Sequence, residues 1–324
     1  LLRGFSPLRN ISEIIRYHHV PWANGNGKVY NGQPVPFASH IVHLADKVCI
    51  MHSKGDPISF ISSMVQRQRN SVFVPELVDC LLEFVDMNYI WLDLNHDPLQ
   101  DISDIIATGS ILPLEIDNIL ELSYIFSHII DFRSRFTACH SAGVASTAEK
   151  LAELFNFSPY ERKMMLIAGY LHDLGKLSID NGILEKPDKL TERERAIIQS
   201  HTYYTYHWLK PIKQFQTINL WASLHHEKLN GKGYPFKVKG DNLSLGSRIM
   251  AVADIFTAVT EDRPYRKGLD RAETTRILNG MVKDGSLDPN IVSVLIEQFV
   301  EINDLRIKSQ AKALEGYKKF MESI

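Results

Sequence analysis

The sequence predicts an all-α protein built as a tandem of two related helical domains, with the chemistry in the C-terminal copy. Three observations lead there. Apolar residues recur at helical spacing along most of the chain, and no alternating run suggests a half-buried strand. Helix starts are written as capping boxes at Ser158 and Thr191. A block around His225-His226 has a weaker copy around His18-His19.

The elements follow in order. Residues 11–17, 58–65 and 76–85 each place apolar side chains on one helical face. Residues 117–136 continue as a long helix rich in Ile and Leu, read as a connector between the halves. Ser158-Pro159-Tyr160-Glu161 joins a Ser cap, a Pro at the first helical position and a Glu three residues after the cap. The helix it opens is expected to run through Leu174 and stop at Gly175. Thr191-Glu192-Arg193-Glu194 repeats the box and should open a helix carrying His201. Ser244 begins another helix, from Leu245 to about Glu261, with Asp254 in its middle. Residues after Asn303 read as a solvated, Lys-rich helix.

The repeat sets the domain organisation. Aligning Tyr17-His18-His19 with Leu224-His225-His226 brings Gly32 to Ile41 onto Gly240 to Ile249, and Ala45-Asp46 onto Ala253-Asp254. His19 and Asp46 lie 27 positions apart and His226 and Asp254 lie 28 apart, a one-residue difference that falls in a loop. Pro75-Glu76-Leu77-Val78 then matches Pro289-Asn290-Ile291-Val292, each followed by a Glu, at Glu83 and Glu297. The first copy has Trp22 to Gly27 where the second has Gly-Tyr-Pro, and the basic loop from Thr260 to Arg266 shrinks to His52 to Pro57. Its counterparts of His172-Asp173 and His201 would fall before residue 1. It reads as a degenerate, non-catalytic copy. The expected domains are 1–115 for the incomplete copy, 116–136 for a connecting helix, 137–303 for the catalytic domain and 304–324 for a C-terminal helix. The chain opens Leu1-Leu2-Arg3 with no initiator Met, so it reads as a piece of something longer.

Composition narrows the partners. The 324 residues leave room for two cores, and an apolar share of 44% with 23% charged residues is ordinary for a soluble protein. A net charge of -2 lacks the basic balance that long nucleic acids attract, so phosphate recognition has to be local. No apolar run approaches a membrane span, and no signal peptide is seen. Cys49, Cys80 and Cys139 are scattered without CxxC spacing, which points to reduced thiols in a cytoplasmic protein.

The chemistry centres on His225-His226-Glu227-Lys228-Leu229-Asn230-Gly231-Lys232-Gly233-Tyr234-Pro235. With His140, His172, Asp173, His201 and Asp254, this stretch offers five imidazoles and two carboxylates, enough for two divalent metals. Neutral imidazole suits iron, manganese, zinc or nickel, and a carboxylate can bridge two ions. Neighbouring helical residues point about 100° apart, so His172 and Asp173 can serve one site only if a helix end is aimed at it.

His172-Asp173-Leu174-Gly175-Lys176, and His225-His226-Glu227 followed by Gly233-Tyr234-Pro235, resemble the HD-GYP subgroup of HD-domain phosphohydrolases. The resemblance runs from Thr137 to Phe299 and takes in Thr137-Ala138-Cys139-His140, Lys186-Pro187, Lys189-Leu190-Thr191, Arg263-Pro264-Tyr265-Arg266 and Asp288-Pro289. It implies a metal-dependent phosphodiesterase of cyclic dinucleotides, with cyclic di-GMP ahead of 3′,3′-cyclic GMP-AMP. Linear pGpG is the expected first product of the former, and whether GMP follows is open. By position, His140, His172, Asp173 and Asp254 would hold one ion, and Asp173 would bridge to a second held also by His201, His225 and His226. Iron or manganese is expected. Some members add a third metal with a Glu four residues before the first His; Phe136 stands there, so two are expected. A hydroxide bridging the metals would attack phosphorus, with Asp173 and Lys176 as catalytic residues. Lys176, Tyr234, Arg263 and Arg266 would contact the substrate. Asn230 and Thr257 stand where the family often has acidic residues, which leaves base selectivity open.

Blander readings stand beside these. His40, His43, His52, His96, His128 and His207 read as satisfied core histidines rather than ligands, and His18, His19 and Asp46 as non-ligating remnants. His96-Asp97 precedes Pro98, which disfavours a continuing helix. Arg263 and Arg266 also fit solvated loop charges, and Tyr234 a turn residue. Another HD-type nucleotide phosphohydrolase and a non-catalytic binding module are the competing functions. A homodimer, and regulation by an upstream segment or by the N-terminal copy, stay open.

Overall fold

The structure, a computed structural model, describes residues 5–85, 91, 114–133, 139–186, 188–262 and 266–321. Outside the described residues lie His96, Asp97, Pro98, Phe136, Thr137, Ala138, Pro187, Arg263, Pro264 and Tyr265. The chain divides into two compact units, Leu1–Pro113 and Leu114–Ile324. Among the described residues no helix is long and apolar enough to cross a membrane.

The first unit holds α1 (Arg9–Arg16), α2 (Phe37–Ser53), α3 (Ile58–Arg67) and α4 (Pro75–Val85). Leu44, Val48, Met51, Ile61, Val65, Phe73, Val78 and Trp91 form its core. The hydrophobic pattern predicts no strands, yet β1 (Val29–Tyr30) and β2 (Gln33–Pro34) pair antiparallel, Val29 opposite Pro34. The signal is Asn31-Gly32: both residues have positive φ, as a two-residue hairpin turn requires.

The second unit comprises α5 (Ile116–Phe132), α6 (His140–Leu154), α7 (Pro159–Leu171), the single turn α8 (Asn181–Leu184), α9 (Glu192–Gln199), α10 (His201–Leu209) and α11 (Gln216–Ser223). It continues with α12 (Leu245–Thr260), α13 (Arg271–Lys283), α14 (Pro289–Glu297) and α15 (Phe299–Met321). α6 packs against α7, α12 and α15. Its small residues permit close approach: a Cβ on Gly169 of α7 would lie 2.4 Å from Ala145 Cα. Val144, Leu151, Met165, Ile167, Ile249, Met250, Phe256, Ile291 and Leu295 fill the core between these helices. α1 leads into Tyr17-His18-His19 as α11 leads into Leu224-His225-His226, and Asp46 and Asp254 sit within α2 and α12. Ser39 Oγ donates to Ile14 O at 2.9 Å, and its counterpart Ser247 Oγ donates to Leu220 O at 3.3 Å.

α5 packs on α6 and α7 within the second unit, its Ile and Leu face belonging to that core. Three expectations need correction. α7 ends at Leu171 rather than Leu174, with a 3₁₀ turn over Leu174–Ser178 after it. The helix opened by Thr191 stops at Gln199, and His201 begins a new one. α15 starts at Phe299 and is not wholly solvated: Ile302, Arg306, Gln310 and Ala313, spaced for one helical face, are buried.

Candidate metal centre

The break after α7 turns an adjacent pair of side chains to one place. His172 caps α7, and Asp173 follows at φ −95° and ψ 11°. His172 Nε2 then lies 3.2 Å from Asp173 Oδ2. The turn that follows packs under α10. Gly175 N–H donates to Thr205 Oγ1 at 2.9 Å, and Thr205 Oγ1 donates to His172 O at 3.1 Å. A Cβ on Gly175 would stand 1.9 Å from His201 O, so the absence of a side chain lets α10 come this close. That approach places His201 Nε2 3.3 Å from Asp173 Oδ1. Asp173 therefore meets His172 through one oxygen and His201 through the other.

Three more elements complete the cluster. His225 and His226 follow α11, and His225 Nε2 lies 3.4 Å from His201 Nε2. Asp254, inside α12, has Oδ1 3.1 Å from His140 Nε2 and 4.0 Å from His172 Nε2. Its Oδ2 is 3.6 Å from His226 Nδ1. His140 is the first residue of α6.

The far side of each ring fixes its donor atom. Nδ1 of His172, His201 and His225 faces the carbonyl three residues back, Gly169 at 2.8 Å, Ile198 at 2.7 Å and Ala222 at 2.6 Å. A ring that donates there carries its Nε2 lone pair towards the cluster, the form a metal ligand needs. His140 Nδ1 instead faces Glu261 Oε2 at 3.0 Å.

The electrostatics suit the same use. Burial, with His226 adding to it, holds the His225 pKa well below the usual imidazole range, and burial brings His201 down to about 3. Both rings are neutral. Burial alone would raise Asp173, but His172 and Lys176 outweigh it and hold the carboxyl well below the carboxylate range. Asp254 is held low against burial by His140 and His226. Burial would also lower Lys176, but Asp173 outweighs it and keeps the ammonium charged, with Nζ 2.6 Å from Asp173 Oδ2.

Against burial, Glu261 and Asp254 raise His140 well above the usual imidazole range and Asp173 raises His172, so these two rings would give up a proton on binding an ion. Imidazoles and ionised carboxylates converging on one space are a donor set for divalent metal ions. Three overlapping groups have ligand atoms within 4.8 Å of one another: His140, His172 and Asp254; His172, Asp173 and His225; His201, His225 and His226. Among the described residues no such group falls in the first unit, and His40, His43, His52, His128 and His207 join none.

The side chain of His226 is 29% exposed and that of Lys176 24%, against 1% for His172, so solvent reaches the cluster past the first two. Tyr234 lies over His226, ring centroids 4.8 Å apart. Its loop hangs from a residue whose role the sequence did not reveal. Buried Glu227 accepts from Phe236 N at 2.7 Å and Val238 N at 3.1 Å. A Cβ on Gly233 would lie 2.5 Å from Glu227 Cα, so that loop also needs a glycine. Asn230 donates to Asp284 O at 3.0 Å and Ser286 Oγ at 3.2 Å, which makes it a loop anchor. Thr257 is fully buried in α12. Arg266 Nη2 donates to Ala258 O at 2.7 Å, so its guanidinium rests on the backbone of α12. Glu261 was legible only as the end of a helix; nothing in its neighbours signals that it reaches His140.

A family model for the HD domain matches residues 124–291, over half of the chain. The 3′3′-cGAMP-specific phosphodiesterase 1 of Vibrio cholerae is 29% identical over 95% of this chain and 74% of its own length. Phosphodiesterase 3 of the same name and organism is 34% identical over 84% of this chain, which spans 59% of that relative. A cyclic di-GMP phosphodiesterase of Pseudomonas aeruginosa is 34% identical over 50% of this chain and 39% of its own length. A crystal structure of a cyclic GMP-AMP-specific phosphodiesterase from V. cholerae is similar over 97% of this chain and 71% of that one, with a TM-score of 0.58 and 27% identity. The chain belongs to the HD-domain family, in the HD-GYP branch whose Gly-Tyr-Pro loop it carries at Gly233-Tyr234-Pro235.

Proposed function

We propose that the second unit is a metal-dependent phosphodiesterase that opens the ring of 3′,3′-cyclic GMP-AMP. The observation that carries this is the meeting of His140, His172, Asp173, His201, His225, His226 and Asp254 from four helix ends and one helix interior, with Asp173 facing both His172 and His201. The order of substrates expected from sequence is reversed. Two relatives specific for cyclic GMP-AMP align with 95% and 84% of this chain, the cyclic di-GMP relative with 50%. Cyclic di-GMP is the second substrate in this reading.

Two divalent ions, iron or manganese by ligand type, fit the donor set. His140, His172, Asp173 and Asp254 would hold one, and Asp173, His201, His225 and His226 the other. Ions bound there supply an acidified water and offset charge on the phosphoryl oxygens. Lys176 keeps Asp173 ionised and, on the open side, is placed to hydrogen-bond a phosphoryl oxygen. Tyr234 covers His226 and borders the entrance. Arg266, released from Ala258 O, would take the second phosphate of the ring, and Arg263, outside the described residues, is the other candidate the sequence names for it. Water adds across one P–O3′ bond, which breaks as the water oxygen joins phosphorus: one proton ends on the departing ribose oxygen, the other stays with the new terminal phosphate or passes to solvent, and a linear dinucleotide remains. The intact ligand set argues against a non-catalytic module.

The test is turnover of both rings by protein reconstituted anaerobically with Fe(II) or Mn(II). Faster cleavage of cyclic GMP-AMP, abolished by Asp173→Ala, is the expected result. Metal-loaded protein that cleaves neither ring would overturn the assignment.

A further inference from the structure

The His140 ring is held differently from His172, His201 and His225. Those three lean on backbone carbonyls, which no substitution removes. His140 opens α6, and its Nδ1 faces a side chain, that of Glu261. Glu261 follows the last residue of α12 and is buried. A glutamate is long and flexible, so a carboxylate in this position has to be held in turn.

α15 supplies the hold. Gln310 Nε2 donates to Glu261 Oε2 at 3.1 Å, onto the same oxygen that faces His140. Gln310 Oε1 accepts from Arg306 Nη1. Arg306 is fixed by Asn303 Oδ1, at 3.0 Å from Nε and 2.9 Å from Nη2, and by Thr260 O at 3.2 Å from Nη2. α6 leaves space for this reach: a Cβ on Gly143 would stand 2.8 Å from Gln310 Nε2 and 2.8 Å from Thr257 Cγ2.

We infer that Glu261, held by Gln310 and Arg306 of the C-terminal helix, is the positioning carboxylate of His140 and sets the affinity of the metal site. The inference rests on the reading of His140 as a ligand. A carboxylate that accepts from the far nitrogen fixes the tautomer with Nε2 free and makes the ring a stronger donor. If the network served only to hold α15 against α6 and α12, its loss would lower stability and leave metal affinity alone.

The experiment strips metal from the full chain and titrates it with Mn(II) against a competing chelator, with thermal melting in parallel. Glu261→Ala should weaken Mn(II) binding by about 10–100-fold. Gln310→Leu should act in the same direction, and should add nothing in the Glu261→Ala background because it works through Glu261. A Glu261→Ala chain that melts early yet binds Mn(II) as wild type does would overturn the inference. So would a Gln310→Leu effect of equal size in both backgrounds. Should Glu261→Ala not fold, Gly143→Ala carries the test, since it adds one methyl against Gln310 and removes no polar group; wild-type affinity there would overturn the inference. Wild-type chain that takes up no Mn(II) would instead overturn the metal reading itself.

Discussion

Gly175→Ala is the sharpest perturbation available, because one methyl group meets backbone. The added Cβ would lie 1.9 Å from His201 O and 2.8 Å from both His201 C and Thr205 N. Cβ atoms do not approach non-bonded heavy atoms closer than 3.0 Å, so α10 must retreat by about 1 Å. Gly175 is not in the left-handed region, so the cost comes from contact alone. Overpacking costs about 1–3 kcal/mol, and the upper end applies where the obstacle cannot rotate away. For a unit of roughly 200 residues that lowers Tm by about 6–12 °C. The retreat carries His201 from Asp173 and stretches the Thr205 bonds to Gly175 and His172. A misplacement of about 1 Å at reacting groups can cost about 100-fold in rate. Thermal melting and cyclic GMP-AMP turnover at saturating Mn(II) measure both effects. A Gly175→Ala chain that melts and turns over like wild type would show that the close approach of α10 does not set the geometry of the site.

The remaining predictions are briefer. Glu227→Ala leaves Phe236 N and Val238 N without their acceptor and should cost about 2–4 kcal/mol; urea unfolding measures it, and KM should rise more than Mn(II) affinity falls as Tyr234 loses its place. Glu194 is pulled down to about 2 by Lys186, with further bonds from Thr191. Because the folded pKa is the lower one, its stabilising effect is complete above the unfolded value and disappears as pH falls towards 2; carboxyl NMR titration should show that midpoint, and Lys186→Met should move it up. Metal at 100 times its Kd should stabilise the second unit by about 2.7 kcal/mol over the chelated form, and calorimetry showing no difference would count against a metal centre.

The helical fold was legible because its signals are local. Ser158 and Glu161 form the capping box their spacing promised, Ser158 N donating to Glu161 Oε2 at 2.8 Å and Glu161 N to Ser158 Oγ at 3.3 Å. The ligand candidates were legible because imidazoles and carboxylates at those spacings have few other uses, and the structure brings His140, His172, Asp173, His201, His225, His226 and Asp254 together. What escaped was relational. The break at Ser200 has no Gly or Pro to announce it. Glu261 and Gln310 are 49 residues apart and acquire meaning only once α15 lies along α6. Lys residues on the outer face of α15 made the helix look solvated, while Ile302 and Ala313 were already spaced for burial.

The clamped rings bear on when metal can enter. His172, His201 and His225 are oriented by carbonyls that exist as soon as their helices form, but the donors meet only after α6, α7, α10, α11 and α12 have packed. His140 and Asp254 stand 114 residues apart in the chain, so the full donor set exists only in the packed unit. An ion that needs the whole donor set would therefore be a late arrival in the life of this chain. Which ion it took would then depend on what the surrounding solution offers a finished cage.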